Sequence, residues 1–146
     1  MSDIFEVDRL TSPSGKVIFE WAEDKRVIIA RLVSNEPHEI DFFAGIWLEI
    51  INGWEAGKPY LVMIDSRRIP STGLTPYFRQ KIQELVEATH DGLVGRSATI
   101  HNKAPILLLT RLVIEAFVNR RLGDHLPTKL FFDEEDAIEW LLGAYD

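Results

Sequence analysis

The stretch Tyr60-Leu61-Val62-Met63-Ile64-Asp65 decides the fold class. An unbroken apolar run of strand length, closed by a carboxylate, is what a strand covered on both faces requires. Helical patterns flank it on either side. Upstream, Phe43, Ile46, Trp47, Ile50 and Trp54 recur at helical spacing across 40–54, and Gly57 and Pro59 end that helix. Downstream, Thr75-Pro76 marks a helix start, because a threonine hydroxyl caps free amides and proline surrenders an amide that would be unpaired there. Phe78, Ile82, Leu85 and Val86 supply the buried face of this second helix.

The remaining elements continue the alternation. Val17-Ile18-Phe19-Glu20-Trp21 and Val27-Ile28-Ile29-Ala30-Arg31-Leu32 flank the charged turn Glu23-Asp24-Lys25 and read as a hairpin. Residues 4–7 add a short edge strand, separated by the turn Ser12-Pro13-Ser14-Gly15. Ser97-Ala98-Thr99-Ile100 is a short strand, Pro105 opens a helix to about Arg121, and Leu130-Phe131-Phe132 is the last strand. Asp133 caps the final helix, with Glu134, Glu135 and Asp136 against the positive end of its dipole. The expected architecture is one α/β domain over 1–146. It has a mixed sheet of about five strands, an N-terminal antiparallel hairpin, later strands parallel with right-handed crossovers, and about four helices.

Composition narrows the function classes. With 46% hydrophobic and 27% charged residues, the 146-residue chain can bury a sizeable core. A net charge of -7 opposes loose binding to nucleic acid. The absence of cysteine removes disulfides, thiolate nucleophiles and thiolate metal ligands. The acidic start Met1-Ser2-Asp3-Ile4-Phe5-Glu6 is unlike a secretory signal, and a cytoplasmic location is expected. The most apolar window, 106–118, is interrupted by Arg111 and Glu115 and is shorter than the roughly 20 residues of a membrane span.

The order of elements, with Leu61-Val62-Met63-Ile64-Asp65 followed by Ser71-Thr72-Gly73-Leu74, resembles the STAS domain family, founded on a sporulation anti-sigma-factor antagonist. In that family a strand ending in aspartate leads to an Asp-Ser-Ser-Gly-Leu type motif at the next helix. Here Pro70 stands in the place of the motif's aspartate, and the loop is shorter. The stretch from Phe131 to Leu141, with its acidic cap and Ala137-x-x-Trp140-Leu141, resembles the SpoIIAA-like branch. Members of that branch are similar in layout to lipid-carrying Sec14-type domains. The resemblance implies a regulatory or protein-interaction module, with Ser71 or Thr72 as the position of a phosphorylated serine.

Two places stand out as candidate sites. In a mostly parallel sheet, ligands gather at the carboxyl ends of strands and the adjoining helix starts. Asp65, Arg67, Arg68, Ser71, Thr72, Gly73 and Thr75 lie there and could hold a phosphate or carboxylate. Their plainer reading is turn and capping residues beside solvated arginines. The second place is the wide apolar arc of the first helix, including Phe43, Trp47, Ile50 and Trp54. Either the sheet and other helices cover it, or it serves a second subunit, a partner or an apolar ligand.

His38, His90, His101 and His125 show no metal-ligand spacing, and neither a nucleophile elbow nor a phosphate loop is present. No cofactor or metal is expected. The leading expectation is a non-enzymatic interaction module, homodimeric, with a protein partner. The alternative is a carrier or sensor of a small apolar or lipid-like ligand, held between the sheet and the helices at 40–54 and 106–121, with Arg67 or Arg68 meeting an anionic head group.

Overall fold

The computed structural model of the chain describes residues 3–69, 75–102 and 118–143. Strands β1 (Arg9–Thr11), β2 (Val17–Ala22) and β3 (Val27–Leu32) come first, followed by α1 (Pro37–Gly53), β4 (Tyr60–Asp65), α2 (Pro76–Ala88) and β5 (Gly95–Ile100). A helical stretch at 118–122 (α3) leads to β6 (Thr128–Phe131) and α4 (Glu134–Gly143). The expected helix from Pro105 falls largely outside the described residues.

Among the described residues, all strands join one six-stranded sheet in the order β1-β2-β3-β4-β5-β6. Pairing is antiparallel from β1 to β3 and parallel from β3 to β6, as the hairpin-then-alternation pattern requires. The six strands fit the expected mixed sheet. When each new parallel strand is added on the same side, crossovers of one hand put their helices on one face. Accordingly α1 and α2 pack together, and Val118 and Leu122 of α3 join the same core. The opposite face is closed by α4, which packs on β4, β5 and β6.

Strand alternation divides the core in two. Tyr60 and Val62 face α1 and α2 with Ile28, Ala30, Phe43 and Trp47. Leu61 and Met63 face α4 with Ile29, Ala98, Ile100, Ala137 and Leu141. The continuous apolar run of β4 is therefore a consequence of its being sandwiched.

Element boundaries differ from the sequence reading in instructive ways. Residues 4–7 are not a strand: the amides of Glu6 and Val7 both donate to the Asp3 carbonyl, at 2.7 and 3.1 Å, closing a turn. The edge strand is β1 instead, and Ile4 is buried while its carbonyl accepts the Trp21 indole N–H at 2.7 Å. The β5 strand starts at Gly95, before the apolar pattern begins. A Cβ there would lie 2.0 Å from the Tyr60 carbonyl oxygen, so only glycine allows this close pairing. The β6 strand starts at Thr128 because the Asn119 side chain brackets its backbone: Oδ1 accepts from the Thr128 amide at 2.7 Å and Nδ2 donates to its carbonyl at 3.0 Å.

Two helix starts follow the sequence reading. The Thr75 hydroxyl accepts from the Phe78 amide at 3.1 Å, and Asp133 Oδ2 accepts from the Asp136 amide at 3.2 Å. Among the described residues, no helix is long and apolar enough to cross a membrane.

Candidate functional site

The carboxyl end of β4 presents different chemistry to the two faces of the sheet. On the α4 face, Asp65 accepts from Arg31 Nη1 at 2.8 Å and from Arg67 Nε and Nη2, both at 2.9 Å. Arg31 also donates to Glu20 at 2.6 Å and to Glu134 at 2.7 Å, while Arg67 reaches Glu134 at 3.4 Å. This network ties β2, β3, β4 and the start of α4 together. Burial alone would raise the Asp65 pKa, but the hydrogen bonds and charge of Arg67, joined by Arg31, outweigh it and the net shift is downward. Arg31 is held in its charged form chiefly by Glu134, against the opposing effect of burial.

Beside this network runs an open cleft lined by Arg9, Arg31, Arg67 and Arg68 together with Glu20 and Asp65. Arg67 is engaged by carboxylates and Arg68 is exposed. Thr75 caps α2, and Ser71, Thr72 and Gly73 lie outside the described residues.

On the other face, the residue after Asp65 turns inward. Ser66 Oγ donates to the Ile100 carbonyl at 3.0 Å and lies 2.8 Å from His101 Nδ1, with both side chains buried. If the serine proton is given to Ile100, the histidine is the donor to Ser66, which is the reverse of an activated nucleophile. Among the described residues there is no group of three or more metal-ligating side chains.

His101 also lines a cavity of about 110 Å³ between the sheet and helices α1 and α2. Its floor is the inward row of the central strands: Val62 and Ile64 from β4, and Ser97 and Thr99 from β5. Its walls include Phe43 and Trp47 from α1 and Phe78 and Ile82 from α2. Among the described residues, two hydroxyls, Tyr60 Oη and Thr128 Oγ1, are buried without a hydrogen-bond partner of good geometry; their residues border the cavity, but the oxygens themselves are closed off from its space. Burial pushes the Tyr60 phenol up, more than the nearby Trp47 side chain lowers it, yet no hydrogen bond of good geometry reaches the oxygen. The phenol is thus a neutral O–H with nothing to donate to.

Of the first-helix residues singled out from sequence, Phe43 and Trp47 line this cavity, while Ile50 is fully buried in the core beside it. Trp54 sits in a separate aromatic cluster, 5.7 Å from Trp21 and 5.0 Å from Tyr60 between ring centroids, with Lys58 over its face. None of Tyr60, Ser66, Thr99, His101 and Thr128 is singled out as a site residue by the sequence. One signal was available for part of the set. In β5 and the residue after it, the polar residues Ser97, Thr99 and His101 alternate with Ala98 and Ile100, an unusual pattern for a central strand with helices on both faces.

No protein-family model matches the chain, and no curated protein matches it significantly in sequence. Structural comparison does find a likeness. The chain is similar to the crystal structure of an uncharacterized protein of the DUF3478 family, with a SpoIIAA-like fold, from Shewanella loihica PV-4. The two share 19% identity and a TM-score of 0.58, over 86% of this chain and 91% of that one. The fold is SpoIIAA-like. In this SpoIIAA-like fold, the arginine cleft and the core cavity lie on opposite faces of one sheet, and both use the carboxyl end of β4 or its neighbours.

Proposed function

We propose that the chain is a non-enzymatic binding module of SpoIIAA-like fold that holds a small, largely apolar ligand in the cavity between the sheet and helices α1 and α2. The observation that carries this reading is the cavity itself, whose largely apolar lining includes Phe43, Trp47, Val62, Phe78 and Ile82, with Ser97, Thr99 and His101 as its polar groups. Apolar walls with a few placed polar groups are the usual makeup of a small-molecule site. Native mass spectrometry of the purified protein tests it, with retention of a non-covalent small molecule as the expected result. A bare protein mass, together with no thermal stabilisation across a library of small neutral compounds, overturns it.

A regulatory protein-interaction role, self-association included, is the second reading, favoured by the cleft beside Asp65. Arg9 and Arg68 there are exposed and donate to no described side chain, so a carboxylate or phosphate on a partner would find free guanidinium groups. Sedimentation of the wild-type chain and of an Arg9→Glu, Arg68→Glu double variant tests self-association through this cleft. A monomer in both cases removes it.

A further inference from the structure

The geometry points to β1 as a docking edge for an extended acidic segment of another protein, which adds to the sheet as a further antiparallel strand and sets a carboxylate against Arg9. This rests on reading the arginine cleft as an interaction surface and is independent of the core cavity.

The backbone makes the first half of the case. In the β1–β2 ladder the Trp21 amide donates to the Asp8 carbonyl at 3.0 Å and the Ser12 amide to the Val17 carbonyl at 2.9 Å, with Leu10 opposite Phe19. In an antiparallel pair, that pattern turns the amides and carbonyls of Arg9 and Thr11 outward, away from β2. Among the described residues, none of these four groups has a partner. A strand laid along β1 in antiparallel register makes four main-chain hydrogen bonds with them. Arg9 and Thr11 are exposed, and Leu10 between them is half-buried.

The side chains make the second half. Strand alternation puts Arg9 on the α4 face, where it lines the cleft with Ile18 and Arg68. Its neighbour across the ladder is Glu20, but Glu20 is bonded to Arg31 at 2.6 Å. Among the described residues, no carboxylate pairs with Arg9 or with Arg68. A cation on a sheet edge discourages neutral and basic strands, so this edge selects an acidic one. In strand addition, main-chain bonds give affinity and pockets for alternate side chains give specificity. The cleft is such a pocket, because the incoming residue opposite Arg9 faces it, and a carboxylate there gains a charge-assisted hydrogen bond. The next residue of the segment lies beside Leu10 and is apolar.

A second copy of this chain does not meet the requirement. The nearby residues that alternate in step with Arg9 are Val7, Thr11 and Pro13, none of them acidic, so self-pairing leaves the guanidinium unmatched.

The experiment titrates the isotope-labelled full-length protein, followed by NMR, with the end-blocked peptide Val-Thr-Val-Glu-Lys-Thr. Two controls are a counterpart with glutamine in place of glutamate and one N-methylated at the glutamate. The glutamate peptide is expected to shift the Arg9 and Thr11 amides and to bind about ten-fold more tightly than either control. Arg9→Gln should erase the preference for glutamate over glutamine. Thr11→Pro removes an outward amide without touching the β1–β2 ladder and should abolish binding. The N-methylated peptide makes the same test on the wild-type protein. Equal binding of the glutamate and glutamine peptides overturns the acidic class. A glutamate preference that survives both N-methylation and Thr11→Pro overturns strand addition and leaves the cleft reading standing. A wild-type dimer that Thr11→Pro dissociates in sedimentation gives the edge to a second copy and overturns the partner. No shift at Arg9 or Arg68 with any peptide overturns both the proposal and the cleft reading.

Discussion

Asp65 and Ser66 are adjacent in the chain and point to opposite faces of the sheet: the Asp65 carboxylate lies 2.8 Å from Arg31 Nη1 on the α4 side, while the Ser66 hydroxyl lies 2.8 Å from His101 Nδ1 on the other. The end of a single strand thus anchors an ion network and borders a cavity, with no side chain shared between them. The two can be perturbed separately.

Arg31 is the hub of the network. Arg31→Met retains the aliphatic stem but leaves Glu20, Asp65 and Glu134 converging without their shared cation. Breaking a partly buried cluster in this way should cost about 2 kcal/mol, less than a fully buried pair because Arg31 is partly exposed. Urea denaturation at low and high salt checks this, and the loss should change with ionic strength.

Acid sensitivity follows from Asp65. Its pKa is lower in the folded chain than in the unfolded one, so the stabilisation is complete above the unfolded value of about 4 and is lost as pH falls through the folded value. Unfolding free energy should therefore fall below about pH 4. In Asp65→Asn the loss over that range should be shallower, with a lower plateau at neutral pH, as circular dichroism across a pH series would record.

Removing the orphaned hydroxyls should help the unliganded protein. Tyr60→Phe and Thr128→Val keep the shape while deleting a buried group that has no partner, and each is expected to raise stability by about 1 kcal/mol. Chemical denaturation of dialysed protein measures this directly. A loss of stability in both would mean that the hydroxyls are satisfied in solution.

Gly95→Ala and Thr75→Ala should differ sharply despite both being single-residue changes to alanine. The new methyl at position 95 would meet the Tyr60 backbone at 2.0 Å and force two central strands apart, at a cost of about 3 kcal/mol or more. Loss of the Thr75 cap leaves one amide of α2 unpaired and should cost about 1 kcal/mol. Thermal melts of the two variants rank them.

Much of the fold was legible because it rests on periodicity. The β4 run, the hairpin, the Thr75-Pro76 start and the Asp133 cap are local signals, and each lies where the residues indicate. Non-local pairing was not legible. Nothing near Thr128 announces that Asn119 extends β6 upstream, and nothing near Ile4 shows that its carbonyl serves Trp21. The cavity escaped for a related reason. Tyr60 looks like the first residue of an apolar strand, and nothing near it in the sequence shows that its hydroxyl is buried beside Trp47 of α1. The arginines drew attention because charge is conspicuous in a sequence, yet Arg67 is largely occupied in holding Asp65 and Glu134.

The strand order has a kinetic meaning. Because each strand pairs with the one made just before it, the sheet can grow in the direction of synthesis without any strand waiting for a partner not yet translated. The exception is the α4 contact, in which Glu134 closes on Arg31 across 103 residues. Until that last helix arrives, the growing chain carries the Leu61, Met63 and Ile100 face uncovered, and this is the interval in which it is most exposed to aggregation.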